Sequence, residues 1–277
     1  MRSEILNSEQ LTAFGSALTW VTLVVLGACF GSFATVLESR VPDGKSIVSP
    51  GSQCPNCKRE LRWNENIPIL GFFLLGGKCK GCGLKISSKY PLIEFTTALL
   101  FLSAFTPGPA PQLGMAHLAT AAIAIVTVPL FLIDIKLYRL PNLLTYSAAI
   151  AVTIFAITQA VITGDWVAFT WTMLCGLIPA FLLFLIAVFS KNGMGLGDVK
   201  LVVSLGIAAG MFSYRSAIAT FVVAFLIGGL YSLGILITKK GNSKSAIPFG
   251  PFLLAGFWIC FMGGDFLQNI VLAPWSF

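Results

Sequence analysis

Residues 115–142 read MAHLATAAIAIVTVPLFLIDIKLYRLPN. From Met115 to Ile133 this stretch contains no lysine, arginine or carboxylate, and about 20 such residues in helical form cross a bilayer. The run closes on a carboxylate, Asp134, followed by Lys136, Arg139 and Pro141. An apolar crossing that ends in a carboxylate and a basic turn is a membrane-spanning helix meeting water, and the rest of the chain repeats the pattern.

Of the 277 residues, 56% are hydrophobic and only 10% charged, against roughly 25% charged in a soluble domain. A water-soluble protein of this size could not hide so much apolar surface, and low charge excludes disorder. The fold class expected is an all-α polytopic membrane protein. Besides 115–135, apolar runs lie near 17–33, 91–106, 143–162, 167–189, 199–213, 216–238 and 247–263, making about eight transmembrane helices. The first run follows Glu4 and Glu9 and lacks a small-residue cleavage site, so it is a retained span. The stretch from Phe266 to Phe277 is too short to cross and is expected at the interface.

Charge sets the orientation. Segment 38–90 holds nine of the 18 lysines and arginines, and loops 134–142, 190–200 and 238–246 hold two, two and three. These alternate segments carry all but Arg2 and Arg215, which places them in the cytoplasm by the positive-inside rule. The net charge of +7 is therefore a topology signal with affinity for membrane lipid, and nucleic acid is not an expected partner.

The organisation expected is an outer segment and first span over residues 1–37, a polar insert over 38–90, and a transmembrane domain over 91–277. The insert carries Cys54-Pro-Asn-Cys57 and Cys79-Lys-Gly-Cys82, two Cys-x-x-Cys pairs 21 residues apart. That spacing fits a four-thiolate, zinc-ribbon-like site, with Gly81 and Gly83 permitting the turn. Four thiolates leave no open coordination position, so the zinc is a staple supplying folding energy to a small insert. Cys29, Cys175 and Cys260 sit singly in apolar runs and read as packing residues.

Carboxylates at membrane depth are costly and point to function. Asp134 closes one span, and Asp198 opens another within Gly193-Met-Gly195-Leu-Gly197-Asp198-Val-Lys200. Either aspartate alone reads as an interfacial group paired to a nearby lysine or arginine. Two at one depth, one in a glycine-rich turn, favour a pair that shares a proton and activates water. Gly195 and Gly197 let backbone approach a bound peptide. Lys200 either snorkels to the interface or sits against the carboxylates. Glu94, after Pro91, is either a substrate-site or a structural group. His117 lies near an outer end without evident partners and reads as a surface residue.

Taken together, these blocks give a chain that resembles the type IV prepilin leader peptidases, membrane aspartic proteases of the GxGD group. The resemblance runs from about residue 27 to 256 and is carried by Gly31-Ser-Phe33, the Cys pairs flanking Asn66-Ile-Pro-Ile-Leu70, Tyr90-Pro-Leu-Ile-Glu94, Leu132-Ile-Asp134 with Leu140-Pro-Asn142, the glycine block, and Ile247-Pro-Phe-Gly-Pro-Phe252. It implies that Asp134 and Asp198 are the catalytic pair, with Gly195, Gly197 and Lys200 in the active-site loop and the four cysteines as the metal tetrad. It further implies cleavage of the basic leader from prepilins or type II secretion pseudopilins at the bacterial inner membrane. In many relatives N-methylation with S-adenosylmethionine follows. The chain departs from the family pattern at Ala34–Arg40 and in having Asn142 after Pro141. A transporter or channel with a zinc-stapled cytoplasmic domain is the rival reading. Its substrate site is expected nearer the midplane than two aspartates at one face.

Overall fold

In hydrocarbon every backbone polar group must find its partner within its own segment, so long apolar runs become helices. A computed structural model describes residues 8–106, 113–189, 195–238 and 247–272. The order is α1 (Ser8–Arg40), a 3-10 turn (Trp63–Glu65), α2 (Leu70–Leu74), α3 (Lys89–Ser103), α4 (Met115–Leu137), α5 (Asn142–Thr163), α6 (Trp166–Phe189), α7 (Leu196–Gly210), α8 (Tyr214–Ile237) and α9 (Gly250–Leu272). Among the described residues there is no strand, only isolated bridges between Gln53 and Glu60 and between Lys78 and Lys85.

All eight apolar runs are helical, but their lengths differ. Five helices, within α1, α4, α5, α6 and α8, are long and apolar enough to cross a membrane. Helices α3 and α7 have 15 residues each, about 22 Å at 1.5 Å per residue, short of the ~30 Å hydrocarbon core. Helix α7 can be short because Leu201, Val202, Leu205 and Ile207 are wrapped by protein and not lipid. Helix α9 breaks at Gly264 (φ 50°), and the stretch beyond it is helical to Leu272. Helix α1 runs on to Arg40, so the division expected at residue 37 falls inside its last turn. The reason is that Glu38 is paired within the protein and need not leave the helix.

Helix α4 is the centre. Two-thirds of its span is buried, against a third or less for the other four, and α1, α3, α5, α7 and α9 all pack on it. Its run of small residues around Ala119–Ala124 allows this, and Thr127 Oγ1 accepts the indole N–H of Trp258 at 3.0 Å. Elsewhere glycines let helices touch backbone to backbone. A Cβ on Gly206 of α7 would lie 2.6 Å from Gly176 Cα of α6.

Ion pairs and hydrogen bonds gather one end of the bundle. Glu38 of α1 bridges Lys89 at the start of α3 and Lys136 at the end of α4, both at 2.6 Å. Gly250 of α9 meets Asp134 of α4, and Lys200 of α7 meets Asn142 of α5. The insert and both aspartates thus share one side.

Two expectations need correction. His117 is not a free surface residue: its Nδ1 lies 2.8 Å from Ala104 O and its ring packs edge-on to Phe212. Cys175 and Cys260 pack inward as expected, whereas Cys29 is exposed on α1. Arg2, Gly193 and the basic residues of 190–194 and 239–246 lie outside the described residues.

Gly206→Val forces α6 and α7 apart and is expected to destabilise the fold by about 1–3 kcal/mol, as overpacking does. A lowered melting temperature in detergent checks this; an unchanged one would place the helix contact elsewhere.

Candidate active site and metal centre

Asp134 occupies the last turn of α4, where Tyr138, in the left-handed region at φ 52°, ends the helix by donating its N–H to Asp134 O at 2.8 Å. The chain turns through Leu140 and Pro141 into α5. Opposite, Gly195 is extended before α7, and Asp198 lies in the first turn, with its N–H on Gly195 O at 3.1 Å. A Cβ on Gly197 would sit 3.0 Å from Leu140 Cβ. Without side chains in the way, the first turn of α7 rests directly on the α4–α5 turn.

The third wall is α9. The Gly250 N–H donates to Asp134 Oδ2 at 3.0 Å, and a Cβ there would lie 2.7 Å from that oxygen. Both aspartates are buried, 4% and 8% exposed, and they are close enough to interact electrostatically. The Gly195 backbone N–H donates to the Asp198 carboxyl. Among the described residues no lysine or arginine forms a salt bridge to either one. The plain reading of each as a neutralised interfacial group therefore lacks its partner.

Two cations close in sequence to the aspartates are engaged elsewhere. Lys136 pairs with Glu38, and Lys200 donates to Asn142 Oδ1 at 2.7 Å while lying over the Tyr146 ring at 4.9 Å. Lys200 thus ties α7 to α5 and is not directed at the carboxylates. Glu94 is also brought elsewhere: Oε2 accepts the Ile69 N–H at 2.6 Å, and the Ser32 side chain is its second partner. The backbone N–H of Gly250 and the Leu140 contact were not singled out from sequence. The glycine inside the Ile247–Phe252 block, between Phe249 and Pro251, was the available signal.

The four cysteines converge. Their sulfurs all lie within 4.8 Å of one another, with Cys54–Cys82 at 3.8 Å and Cys57–Cys79 at 3.9 Å. A tetrahedral ion with Zn–S bonds of about 2.3 Å sets that edge at ~3.8 Å. The two knuckles are built alike. Lys58 N–H returns to Cys54 O and Gly83 N–H to Cys79 O, each four residues on and in the left-handed region (φ 57° and 71°). Gly81 has a different duty, since a Cβ there would press on Arg59 Nε at 3.1 Å.

Backbone N–H groups of Cys82 and Gly81 lower the Cys79 thiol to about 6. At Cys57 the Arg59 backbone also lowers the thiol, but desolvation and the three neighbouring sulfurs outweigh it and push it up to about 11. Four sulfurs so crowded cannot all ionise without a cation among them, which is the donor chemistry of a metal site. Glu65 fastens the knuckles: its carboxylate takes the Arg62 N–H at 3.1 Å, Arg59 at 2.9 Å and Lys80 at 3.8 Å. Between the insert and the ends of α1 and α3 lies a cavity of about 570 Å³, lined by Ser32, Arg40, Phe72, Tyr90 and Glu94 among others.

Comparison with known proteins bears on this arrangement. The Bacterial Peptidase A24 N-terminal domain matches residues 25–107, and the Type IV leader peptidase family matches residues 118–233. The prepilin leader peptidase/N-methyltransferase of Bacillus subtilis (strain 168) is 33% identical over 246 residues, covering 88% of this chain and 94% of its own length. The chain belongs to the type IV leader peptidase family. Two further family members are comparably similar. The prepilin leader peptidase/N-methyltransferase of Pseudomonas aeruginosa PAO1 is 31% identical, with 90% and 92% covered. The type 4 prepilin-like proteins leader peptide-processing enzyme of Escherichia coli O78:H11 is 34% identical, with 88% and 87% covered. No solved structure matches the chain. Nothing in these comparisons favours the transporter reading.

The Arg62 N–H, and after it Arg59, hold the Glu65 carboxyl below the usual carboxylate range. Its contribution is therefore present above the ordinary glutamate value near ~4.3 and is lost as pH falls through its own lower value. Thiols take up protons at higher pH than this carboxyl, so acid is expected to release the metal before it breaks the Glu65 pairs. Metal content after dialysis across pH checks the order, with protease sensitivity of residues 41–88 measured on the same samples. Glu65→Gln is expected to raise that sensitivity at neutral pH with metal still bound.

Proposed function

We propose that this chain removes the basic leader from type IV prepilins or type II secretion pseudopilins at the cytoplasmic face of the bacterial inner membrane. Methylation of the newly exposed amino terminus follows. The observation that carries the peptidase reading is the pair Asp134 and Asp198, buried within electrostatic reach of each other on two helices at one membrane edge, with no salt bridge to either among the described residues. The cytoplasmic placement rests on the basic segments, and the reaction places the insert on the same side.

In the mechanism, a hydrophobic pilin stem enters from the bilayer and unwinds at its leader junction, since a helical peptide bond is already hydrogen-bonded. Asp198, at a helix N-terminus, takes a proton from water as the oxygen attacks the scissile carbonyl carbon. Asp134, at a helix C-terminus, gives its proton to the carbonyl oxygen, with the Gly250 N–H fixing its other oxygen. Collapse of the gem-diol breaks the C–N bond as one of its hydroxyls returns a proton to Asp134 and the nitrogen takes the proton held by Asp198. The products are a leader carboxylate and a pilin amine. Gly195 and Gly197 keep the wall of the site backbone-thin, and Lys200 positions α7 through Asn142.

The tetrad of Cys54, Cys57, Cys79 and Cys82 would hold a structural zinc, on the sulfur spacing described above. S-adenosylmethionine, when bound, would supply an electrophilic methyl group for the amine. The cavity under the insert fits such a donor in size, with Glu94 offering negative charge, Arg40 positive charge, and Phe72 and Tyr90 apolar surface. Of the acids available to meet a basic leader, Glu38, Asp43 and Glu65 are paired internally, which leaves Glu60.

Purified protein incubated with a prepilin, with and without S-adenosylmethionine, tests the reading by product mass. Leader loss is expected from the wild type and to fall by at least about 10³-fold in Asp198→Asn and in Asp134→Asn, the scale seen when a catalytic group is removed. A further mass of one methyl is expected only with the donor present. Wild-type cleavage by either variant would overturn the assignment of that aspartate.

A further inference from the structure

The insert carries an apolar surface that the reaction leaves unused. Helix α2 follows Asn66-Ile-Pro-Ile, and its Leu70, Phe73 and Leu74 are 59%, 68% and 70% exposed while Phe72 turns inward to the cavity. Three large side chains on a five-residue helix facing water is an arrangement soluble surfaces avoid.

The depth of α2 is fixed by α3. Ile69 N–H is bonded to the Glu94 carboxylate, which lies in the second turn of α3. On the same helix Leu92, Phe95 and Leu99 are 64%, 51% and 49% exposed. On a helix packed against the long spans α1 and α4 these exposed apolar side chains are the ones that would meet lipid, and two of them flank Glu94. The start of α2 therefore sits at a depth where α3 already faces acyl chains. A strained turn makes this approach: Ile69 has φ 62° and ψ −56°, and Leu70 N–H returns to Pro68 O at 2.6 Å. That is a γ-turn of the rare, strained kind, held in a β-branched residue. It reverses the chain beside Glu94 and sends α2 away with its apolar face outward.

We propose that α2 is an interfacial anchor, with Leu70, Phe73 and Leu74 in the acyl region of the leaflet on the insert's side and anionic headgroups on the basic residues around them. The apolar face is continuous with the lipid-facing face of α3. The charge is complementary, since residues 38–90 hold nine lysines and arginines against four acids, and three of those acids are already paired internally. A basic leader peptide gains nothing from such a surface, whereas an anionic leaflet does. The anchor rests only on the chain being a multi-pass membrane protein and not on the reaction proposed for it.

The test uses the full-length, metal-loaded protein in vesicles of phosphatidylethanolamine and phosphatidylglycerol. A photoreactive benzoylphenylalanine is placed at Phe73, at Leu99 as a lipid-facing control, or at Glu60 as an exposed control. Irradiation is expected to give lipid adducts at 73 in a yield similar to 99 and several-fold above 60. Hydroxyl-radical footprinting of the unmodified protein supplies a second readout. Phe73 and Leu74 are expected to be protected several-fold in vesicles relative to Trp63, which is 83% exposed. Adducts at 73 no higher than at 60, adducts to prepilin and not to lipid, or Phe73 as reactive as Trp63 would each overturn the anchor. Leader cleavage by the same samples is scored separately, so a failed anchor and a failed peptidase are distinguished.

Discussion

Two buried carboxylates within electrostatic reach of each other, with no salt bridge to either among the described residues, are the condition around which this bundle is arranged. Removing such groups from water is costly unless hydrogen bonds replace the solvent. Here the replacements are backbone N–H groups, from Gly250 to Asp134 and from Gly195 to Asp198. Backbone can come so near a carboxylate only where no side chain intervenes, as the 2.7 Å approach at Gly250 makes plain. Glycines at the entrances of α7 and α9 follow from that, as does the tight packing of both entrances on Leu140.

The same condition governs the cations. Lys136 lies two residues beyond Asp134, and on a helix that offset turns it to another side. Glu38 completes the separation by engaging Lys136 and Lys89 together. One carboxylate thus fastens the ends of three helices and keeps the nearest ammonium away from the pair. Lys200 is also held away from the pair, in its case by neutral groups, an amide and a tyrosine ring. Lys136 and Lys200 are thus each held by groups other than the two aspartates.

Much of this was legible in the sequence because lipid and metal impose simple periodicities. Long apolar runs could only be helices, two Cys-x-x-Cys pairs could converge on one ion, and the basic segments alternated from loop to loop. Asp134 and Asp198 stood out since carboxylates are rare at such positions. Lengths were harder to read: α3 and α7 look like spans by composition, yet α7 is wrapped by protein and stops at 15 residues. Long-range partners were not legible at all. Nothing local to His117 announces Ala104 and Phe212, and nothing local to Lys200 announces Asn142, 58 residues earlier. The turn at Ile69 was hidden too, because a β-branched residue is the last expected at positive φ.

The bond between Gly250 and Asp134 joins positions 116 apart in the chain. During synthesis α4 enters the membrane well before α9 exists, so for that interval the aspartate lacks one of its walls. An incomplete chain would then carry both acids without the geometry to use them together. Completion of the Asp134 surroundings is therefore among the last events of assembly, set by the position of Gly250 in the chain and not by any property of α4 itself.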